Sequence, residues 1–236
     1  MKLTKLDIAR LIDLSAVQAQ DSDDYIRSLV KCARKYHVIA VITLPARITF
    51  TQEILGVDSG VLLGGTAGFP AGGQTTAVKV FEAREQIRMG CAEMDMVINI
   101  GKLVSGRYSD VLHDIKAVVE ACKGHPVKVI LECHYLNEKQ IRQGCDACLA
   151  GGAAWVKTST GWAKSGATFE NIRLIRSHVG DSIGIKAAGG VRDLETVLGM
   201  YRRGVRRFGV GLKSGIKILE QAEALPGGFV DVEPLD

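Results

Sequence analysis

Two lysines and one aspartate stand out as residues whose type and setting suit chemistry. Lys157 follows the apolar residues 153–156 and precedes the small polar run Thr158-Ser159-Thr160-Gly161. Lys186 closes the next apolar run, and Asp95 interrupts another, Met94-Asp95-Met96-Val97-Ile98-Asn99, with Glu93 just ahead of it. A lone lysine at a strand end is ordinarily solvated. Two ammonium groups on neighbouring strands disfavour each other's protonation, and a neutral amine is what attacks a carbonyl. On that ground Lys157 is assigned as nucleophile and Lys186 as its electrostatic partner, although the residues alone allow the reverse. A carboxylate in a strand buried on both faces either moves protons for carbinolamine and iminium intermediates, directly or through water, or pairs structurally with a lysine. Either role places Asp95 beside Lys157 or Lys186.

Two glycine-rich stretches offer backbone N–H groups to an anion: Gly189-Gly190, and Gly209-Val210-Gly211-Leu212-Lys213-Ser214-Gly215. Each precedes a predicted helix, the setting in which barrel enzymes hold phosphate; each also serves as an ordinary chain reversal. Residues 64–73, GGTAGFPAGG, lack the spacing of a dinucleotide fingerprint or a P-loop and read as a mobile loop over the site. His134 follows a strand and suits a structural hydrogen bond better than the pocket. Trp155 and Trp162 read as core and rim aromatics.

The elements that must position these groups alternate along the whole chain. Short apolar runs, many of them β-branched, occupy 38–44, 61–63, 94–100, 127–132, 154–157, 183–187 and 207–210, with 11–14 completing eight. Between them, residues 23–36, 75–89, 108–123, 138–150, 168–178 and 194–203 show helical spacing of apolar positions. This is the pattern of parallel βα units. The polar residues decide between an open sheet and a closed barrel, because they sit after at least four different strands. An open sheet gathers only the strand ends beside its switch point, whereas a barrel gathers all of them on its C-terminal face. The expected fold is therefore a single-domain (β/α)₈ barrel spanning residues 1–236.

Composition agrees. At 236 residues, 47% apolar and 24% charged, the chain suits one large folded unit rather than a disordered one. A net charge of +4 falls short of a nucleic-acid footprint. The densest basic cluster, Arg202, Arg203, Arg206 and Arg207, reads as a solvated helix end. No stretch of about 20 apolar residues suits a membrane, and residues 1–10 mix charges into their apolar positions, unlike a secretory leader. Six cysteines in a chain this large point to a reducing cytoplasm, and Cys145 and Cys148 have no second pair with which to bind zinc.

Four segments resemble the deoxyribose-phosphate aldolase family: GFPAGGQTTAVKVFEA (68–83), EMDMVINIG (93–101), WVKTSTGW (155–162) and IKAAGGVR (185–192). The resemblance extends over residues 12–219. It implies a class I aldolase without metal or cofactor, with Lys157 forming the Schiff base, Lys186 lowering its pKa and Asp95 relaying protons. It also implies the reversible cleavage of 2-deoxyribose 5-phosphate to acetaldehyde and glyceraldehyde 3-phosphate, by a cytoplasmic homo-oligomer in deoxynucleoside catabolism. Asp13, in Ile12-Asp13-Leu14-Ser15, falls on the family's early aspartate segment. Substrate contacts are expected from Asp13, Thr158, Ser159, Thr160, Gly161, Gly189, Gly190, Gly211, Lys213 and Ser214.

The departures concern specificity. The family's short glycine-serine loop after strand 8 is replaced by a run that reads as longer and lacks adjacent serines, with Lys213 as a substitute attraction. Trp162, Leu44, Ser15 and His134 also differ from common members, and Glu233-Pro234-Leu235-Asp236 carries no terminal tyrosine. Two alternatives follow: the same Schiff-base chemistry on another aldehyde or keto-sugar, and a non-catalytic sugar-phosphate-binding barrel. A metal-dependent aldolase finds no His and carboxylate cluster with ligand spacing.

Overall fold

A computed structural model describes residues 1–233. Of the terminal segment discussed above, residues 234–236 lie outside the described residues. The chain enters through β1 (Lys2–Thr4) and α1 (Lys5–Ala9). Eight parallel strands then close a barrel in chain order: β2 (Ile12–Ala16), β3 (Ala40–Thr43), β4 (Leu62–Ala67), β5 (Glu93–Val97), β6 (Val127–Ile130), β7 (Trp155–Lys157), β8 (Gly184–Ala188) and β9 (Arg207–Val210). Each overlaps one of the eight apolar runs, although β4 continues four residues beyond the run at 61–63. The outer layer consists of α2 (Asp23–Tyr36), α3 (Ile48–Leu55), α4 (Thr76–Arg88), α5 (Ile100–Val104), α6 (Tyr108–Ala121), α7 (Glu138–Gly151), α8 (Phe169–Val179), α9 (Leu194–Arg202) and α10 (Leu212–Glu223).

Helix starts follow local chemistry. Ser22, Thr75, Thr168 and Asp193 each accept a hydrogen bond from a backbone N–H in the first turn of α2, α4, α8 and α9, and Asn137 forms a reciprocal capping box with Gln140 on α7. The pairing of β1 with β10 (Phe229–Asp231), antiparallel beneath the barrel, was not foreseen. Strands of three residues far apart in sequence give no periodic signal.

Residues 64–73 do not form the expected mobile loop. Gly64 to Ala67 are the body of β4, whose backbone is clamped from α4: Thr66 N–H donates to Gln86 Oε1 at 3.0 Å, and Gln86 Nε2 donates to the Thr66 carbonyl at 2.7 Å. The remainder is a turn pinned to the same helix, with Gly68 N–H donating to Glu82 Oε2 at 2.7 Å. The end of β5 is held similarly. Buried Lys79 on α4 donates to the Val97 carbonyl at 2.8 Å and pairs with Asp114 of α6 at 2.5 Å. These contacts fix the strand that carries Asp95.

Barrel interiors are commonly packed with branched aliphatic side chains. Here the middle of the barrel is ionic. At its lower end the half-buried Trp155 ring fills the space left by Gly184, where a Cβ would come within 2.6 Å of the indole. The Arg207 guanidinium lies 5.7 Å from the centre of that ring. The core aromatic expected at position 155 thus forms the floor on which the charged layers rest.

Candidate active site

Alternate residues of a strand face one way, so β5 turns Glu93 and Asp95 inward together. Strand register does the rest, setting Lys157 of β7 beside Lys186 of β8, Lys186 beside Arg207 of β9, and Asp95 beside Lys128 of β6. The lower layer joins Arg207 Nη2 to Asp13 Oδ1 at 2.6 Å and to Glu93 Oε1 at 2.7 Å, with Lys128 Nζ 2.5 Å from the same Glu93 oxygen. The upper layer is centred on Asp95 Oδ2, which accepts from Lys157 Nζ and Lys186 Nζ, each at 2.7 Å. Lys186 also reaches Asp13 Oδ2 at 2.6 Å, linking the layers.

All seven side chains are buried. With every group ionised, four cations oppose three carboxylates and the cluster carries one uncompensated positive charge. A buried net charge is costly, and the proton released most readily is that of Lys157. Burial is the main cause of its fall from 10.5 to about 8; the Lys186 ammonium contributes in the same direction, and Asp95 opposes both. The expected role of Lys186 is therefore the smaller of two lowering effects. Burial works against the charge of Lys186 too, but Asp13, Asp95 and Glu93 outweigh it, and its pKa is raised. Asp95 is held well below the usual carboxylate range: burial pushes it up, and Lys157, Lys186 and Lys128 overcome that push. One lysine is thus poised as an amine and its neighbour is fixed as an ammonium, and the environments distinguish two residues that sequence left interchangeable.

Lys157 is the member of this cluster that reaches the open face, at the floor of a cavity of about 170 Å³. Thr160, Gly161, Gly189, Gly190, Gly211 and Ser214 line the same cavity. Gly189 and Gly190 both adopt positive φ, 75° and 84°, a conformation that a residue without Cβ reaches at no steric cost, so bare backbone forms this part of the wall. Other expected contacts lie elsewhere. Asp13 is beneath the cavity, paired with Lys186 and Arg207. Thr158 is buried behind the lining, where its hydroxyl accepts from Ala188 N–H at 3.1 Å and ties β7 to β8. Ser159 is also buried outside the lining, and Lys213 is exposed away from it.

The run after β9 is not lengthened. Gly211 is the N-cap of α10, and Leu212, Lys213 and Ser214 are its first turn. Arg207 was misread as part of a solvated basic cluster. It is the first residue of β9 rather than the end of a helix, and it points into the barrel, where two carboxylates neutralise it.

Several participants escaped the sequence reading. Lys128 interrupts Val127-Lys128-Val129 as Asp95 interrupts its own run, so the same signal was available. Arg192 and Tyr25 line the cavity although neither is charged or polar in an unusual sequence setting. Glu132, at φ 55°, accepts from Thr160 N–H at 3.2 Å and from the Thr160 hydroxyl, fixing the turn after Lys157. His134 lies outside the cavity lining, with Nδ1 2.7 Å from Ser165 Oγ. Trp162 stands at the rim, its indole N–H donating to the Val17 carbonyl at 2.8 Å and its ring edge-on to Phe69. Cys145 and Cys148 are buried in α7, with thiols pushed up by burial. Among the described residues no three His, Cys, Asp or Glu side chains are grouped to hold a metal ion, and no helix is long and apolar enough to cross a membrane.

Comparison with known proteins places this geometry. The sequence profile described as DeoC/LacD family aldolase matches residues 9–221. The chain belongs to the DeoC/LacD aldolase family. A relative from Klebsiella pneumoniae named deoxyribose-phosphate aldolase is 46% identical over 234 residues, covering 98% of this chain and 94% of its own. Among solved structures, the aldolase QR15 superposes with a TM-score of 0.85 at 36% identity, over 91% of this chain and 95% of its own. The deoxyribose phosphate aldolase of Aeropyrum pernix, described as tetrameric, gives 0.83 at 28% identity, over 94% of each chain. As a member of the DeoC/LacD family the protein is an aldolase, a carbon–carbon lyase built on a (β/α)₈ barrel.

Proposed function

We propose that this single-domain aldolase works through a Schiff base on Lys157 and reversibly cleaves 2-deoxyribose 5-phosphate into acetaldehyde and glyceraldehyde 3-phosphate. The observation that carries the reading is a buried lysine, lowered to about 8, at the floor of the cavity and 2.7 Å from a carboxylate. In cleavage, the neutral Lys157 amine adds to the C1 aldehyde of the open-chain sugar, and loss of water gives an iminium. Deprotonation of the C3 hydroxyl then breaks the C2–C3 bond. Its electron pair passes to the iminium as an enamine, and C3 leaves as the aldehyde of glyceraldehyde 3-phosphate. Protonation of C2 and addition of water return acetaldehyde and free Lys157.

Asp95 is the carboxylate in direct contact with Lys157, so protons released on amine addition and required on dehydration pass through it or through water it orients. Lys186, fixed as an ammonium, helps keep Asp95 ionised and adds to the lowering of the neighbouring Lys157. The positive-φ pair Gly189-Gly190, Gly211 and Ser214 receive the phosphate end. The relatives' names support the substrate, and the tetrameric Aeropyrum pernix enzyme supports a homo-oligomer. Six free, buried cysteines support a reducing cytoplasm, where deoxynucleoside catabolism supplies such a sugar phosphate.

Borohydride trapping with acetaldehyde, read by intact-protein mass, is expected to add a single adduct to the wild type and none to Lys157→Ala. An unmodified wild type would overturn the Schiff-base mechanism. Turnover of other aldehydes in preference to 2-deoxyribose 5-phosphate, with the adduct intact, would favour the same chemistry on a different substrate. The absence of adjacent serines at the start of α10 is the observation in favour of that second reading.

A further inference from the structure

The N-terminus of α10 is capped by another element. Gly211, its N-cap, has no side chain, and the Leu212 N–H donates instead to the phenolic oxygen of Tyr25 on α2, at 2.9 Å. Tyr25 is half-buried and lines the same cavity as Lys157, together with Gly211 and Ser214 of the α10 start and Gly190 and Arg192 beyond β8. A phenol has one proton to donate. Since Tyr25 Oη accepts from Leu212, that proton remains available, and it has no protein acceptor among the described residues. Burial, reinforced by the nearby Asp21 carboxylate and only partly offset by the Leu212 N–H, raises the phenol above its ordinary value. At neutral pH the group is therefore a donor.

Position gives the donor its meaning. Lys157 marks the end of the cavity where carbon–carbon chemistry occurs, so the opposite end, between β8 and α10, receives the far end of the substrate. The cationic side chains lining the cavity are Lys157 and Arg192. Lys213, the cation that sequence suggested for this end, is exposed outside the lining, and adjacent serine hydroxyls are missing. A neutral donor set against a helix start fills that gap, because the Leu212 dipole polarises the hydroxyl toward an anion.

We propose that Tyr25 is a specificity-determining residue, whose hydroxyl donates to the terminal phosphate of the substrate while its oxygen caps α10, so that selection for a phosphorylated sugar depends on α2 as well as on the loops after β8 and β9. This inference rests on the proposed sugar-phosphate substrate. A hydrogen bond to an ionised acceptor is worth roughly 1.5–3 kcal/mol, which corresponds to about ten- to a hundredfold in kcat/KM.

The test is Tyr25→Phe, which keeps the ring and removes only the hydroxyl. Expected is a fall of about tenfold or more in kcat/KM for 2-deoxyribose 5-phosphate, carried mainly by KM, with kcat/KM for unphosphorylated 2-deoxyribose within about twofold of wild type. Acetaldehyde trapping at Lys157 should be unaffected. Equal loss on both sugars, or no loss on either, would show that Tyr25 is a helix cap and overturn the proposal. Binding of inorganic phosphate by calorimetry addresses the same point without turnover: it should weaken in Tyr25→Phe, and unchanged binding would refute the contact. Failure of the underlying function is distinguishable, since it would show as a wild type without adduct or turnover, whatever residue occupies position 25.

Discussion

Replacing Lys186 by methionine tests the electrostatics of the site most directly. The fall of Lys157 from 10.5 to about 8 raises its neutral fraction at pH 7 from about 0.03% to about 9%. Burial remains in the variant, but two other influences change in the same direction. The like charge of Lys186 disappears, and Asp95 Oδ2, shared between two ammonium groups at 2.7 Å each, is left to Lys157 alone. Both changes favour protonated Lys157, so its midpoint must rise from about 8 toward 10.5. Each unit of that rise lowers the neutral amine at pH 7 about tenfold. The assay is the rate of acetaldehyde-dependent cyanoborohydride trapping as a function of pH, followed by intact mass. Wild type should reach half its plateau near 8, and the variant should do so only at higher pH. Loss of one partner from a buried ion network costs about 3–5 kcal/mol, so folding is checked by circular dichroism, with Lys186→Arg as the charge-keeping control. A folded Lys186→Met protein whose midpoint is unchanged or lower would refute the reasoning, leaving burial alone as the cause.

Other outcomes follow from the same cluster. Arg207→Met should lower stability by about 3–5 kcal/mol in urea unfolding, because Asp13 and Glu93 lose a shared buried cation; a solvated arginine would give almost no change. Lys79→Met should cost a similar amount by stranding Asp114, and adding Asp114→Leu should restore much of it, since a buried pair replaced by apolar groups is often neutral or better. The pH dependence of stability has two signs. Lys157 is lowered in the folded chain, so between about 8 and 10.5 the unfolded chain binds the extra proton and wild type should gain stability relative to Lys157→Met across that window. Asp13 and Asp95 are also lowered, so their contribution is present above about pH 4 and lost as acid protonates them below it. Chemical denaturation in steps of pH measures both, and a flat difference from Lys157→Met above pH 8 would contradict the first.

Much of the architecture was legible because it rests on local patterns. Eight apolar runs separated by helical periodicities require parallel strands covered on both faces, and polar residues after several strands require those ends to converge. Asp95 was legible as a charge in a strand with no solvent-facing side. Lys128 carries the same signature and Arg207 does not: a strand that opens directly after a basic helix end looks, in one dimension, like more of that end. Asp13 was placed through resemblance, but its task as the partner of Lys186 and Arg207 depends on β2 closing against β9, residues nearly the whole chain apart.

The sequence by itself determined the alternation and the closed barrel, and it singled out Lys157, Lys186 and Asp95 as candidates, because strand period and hydrophobic burial are properties of short segments. The tertiary structure decided which lysine has its pKa lowered and which has it raised. A pKa depends on the depth of burial and on the number of carboxylates within a few ångströms, and those are set by closure of the barrel. It also brought Tyr25 from α2 to the start of α10, a contact between residues 25 and 212 that local sequence cannot express.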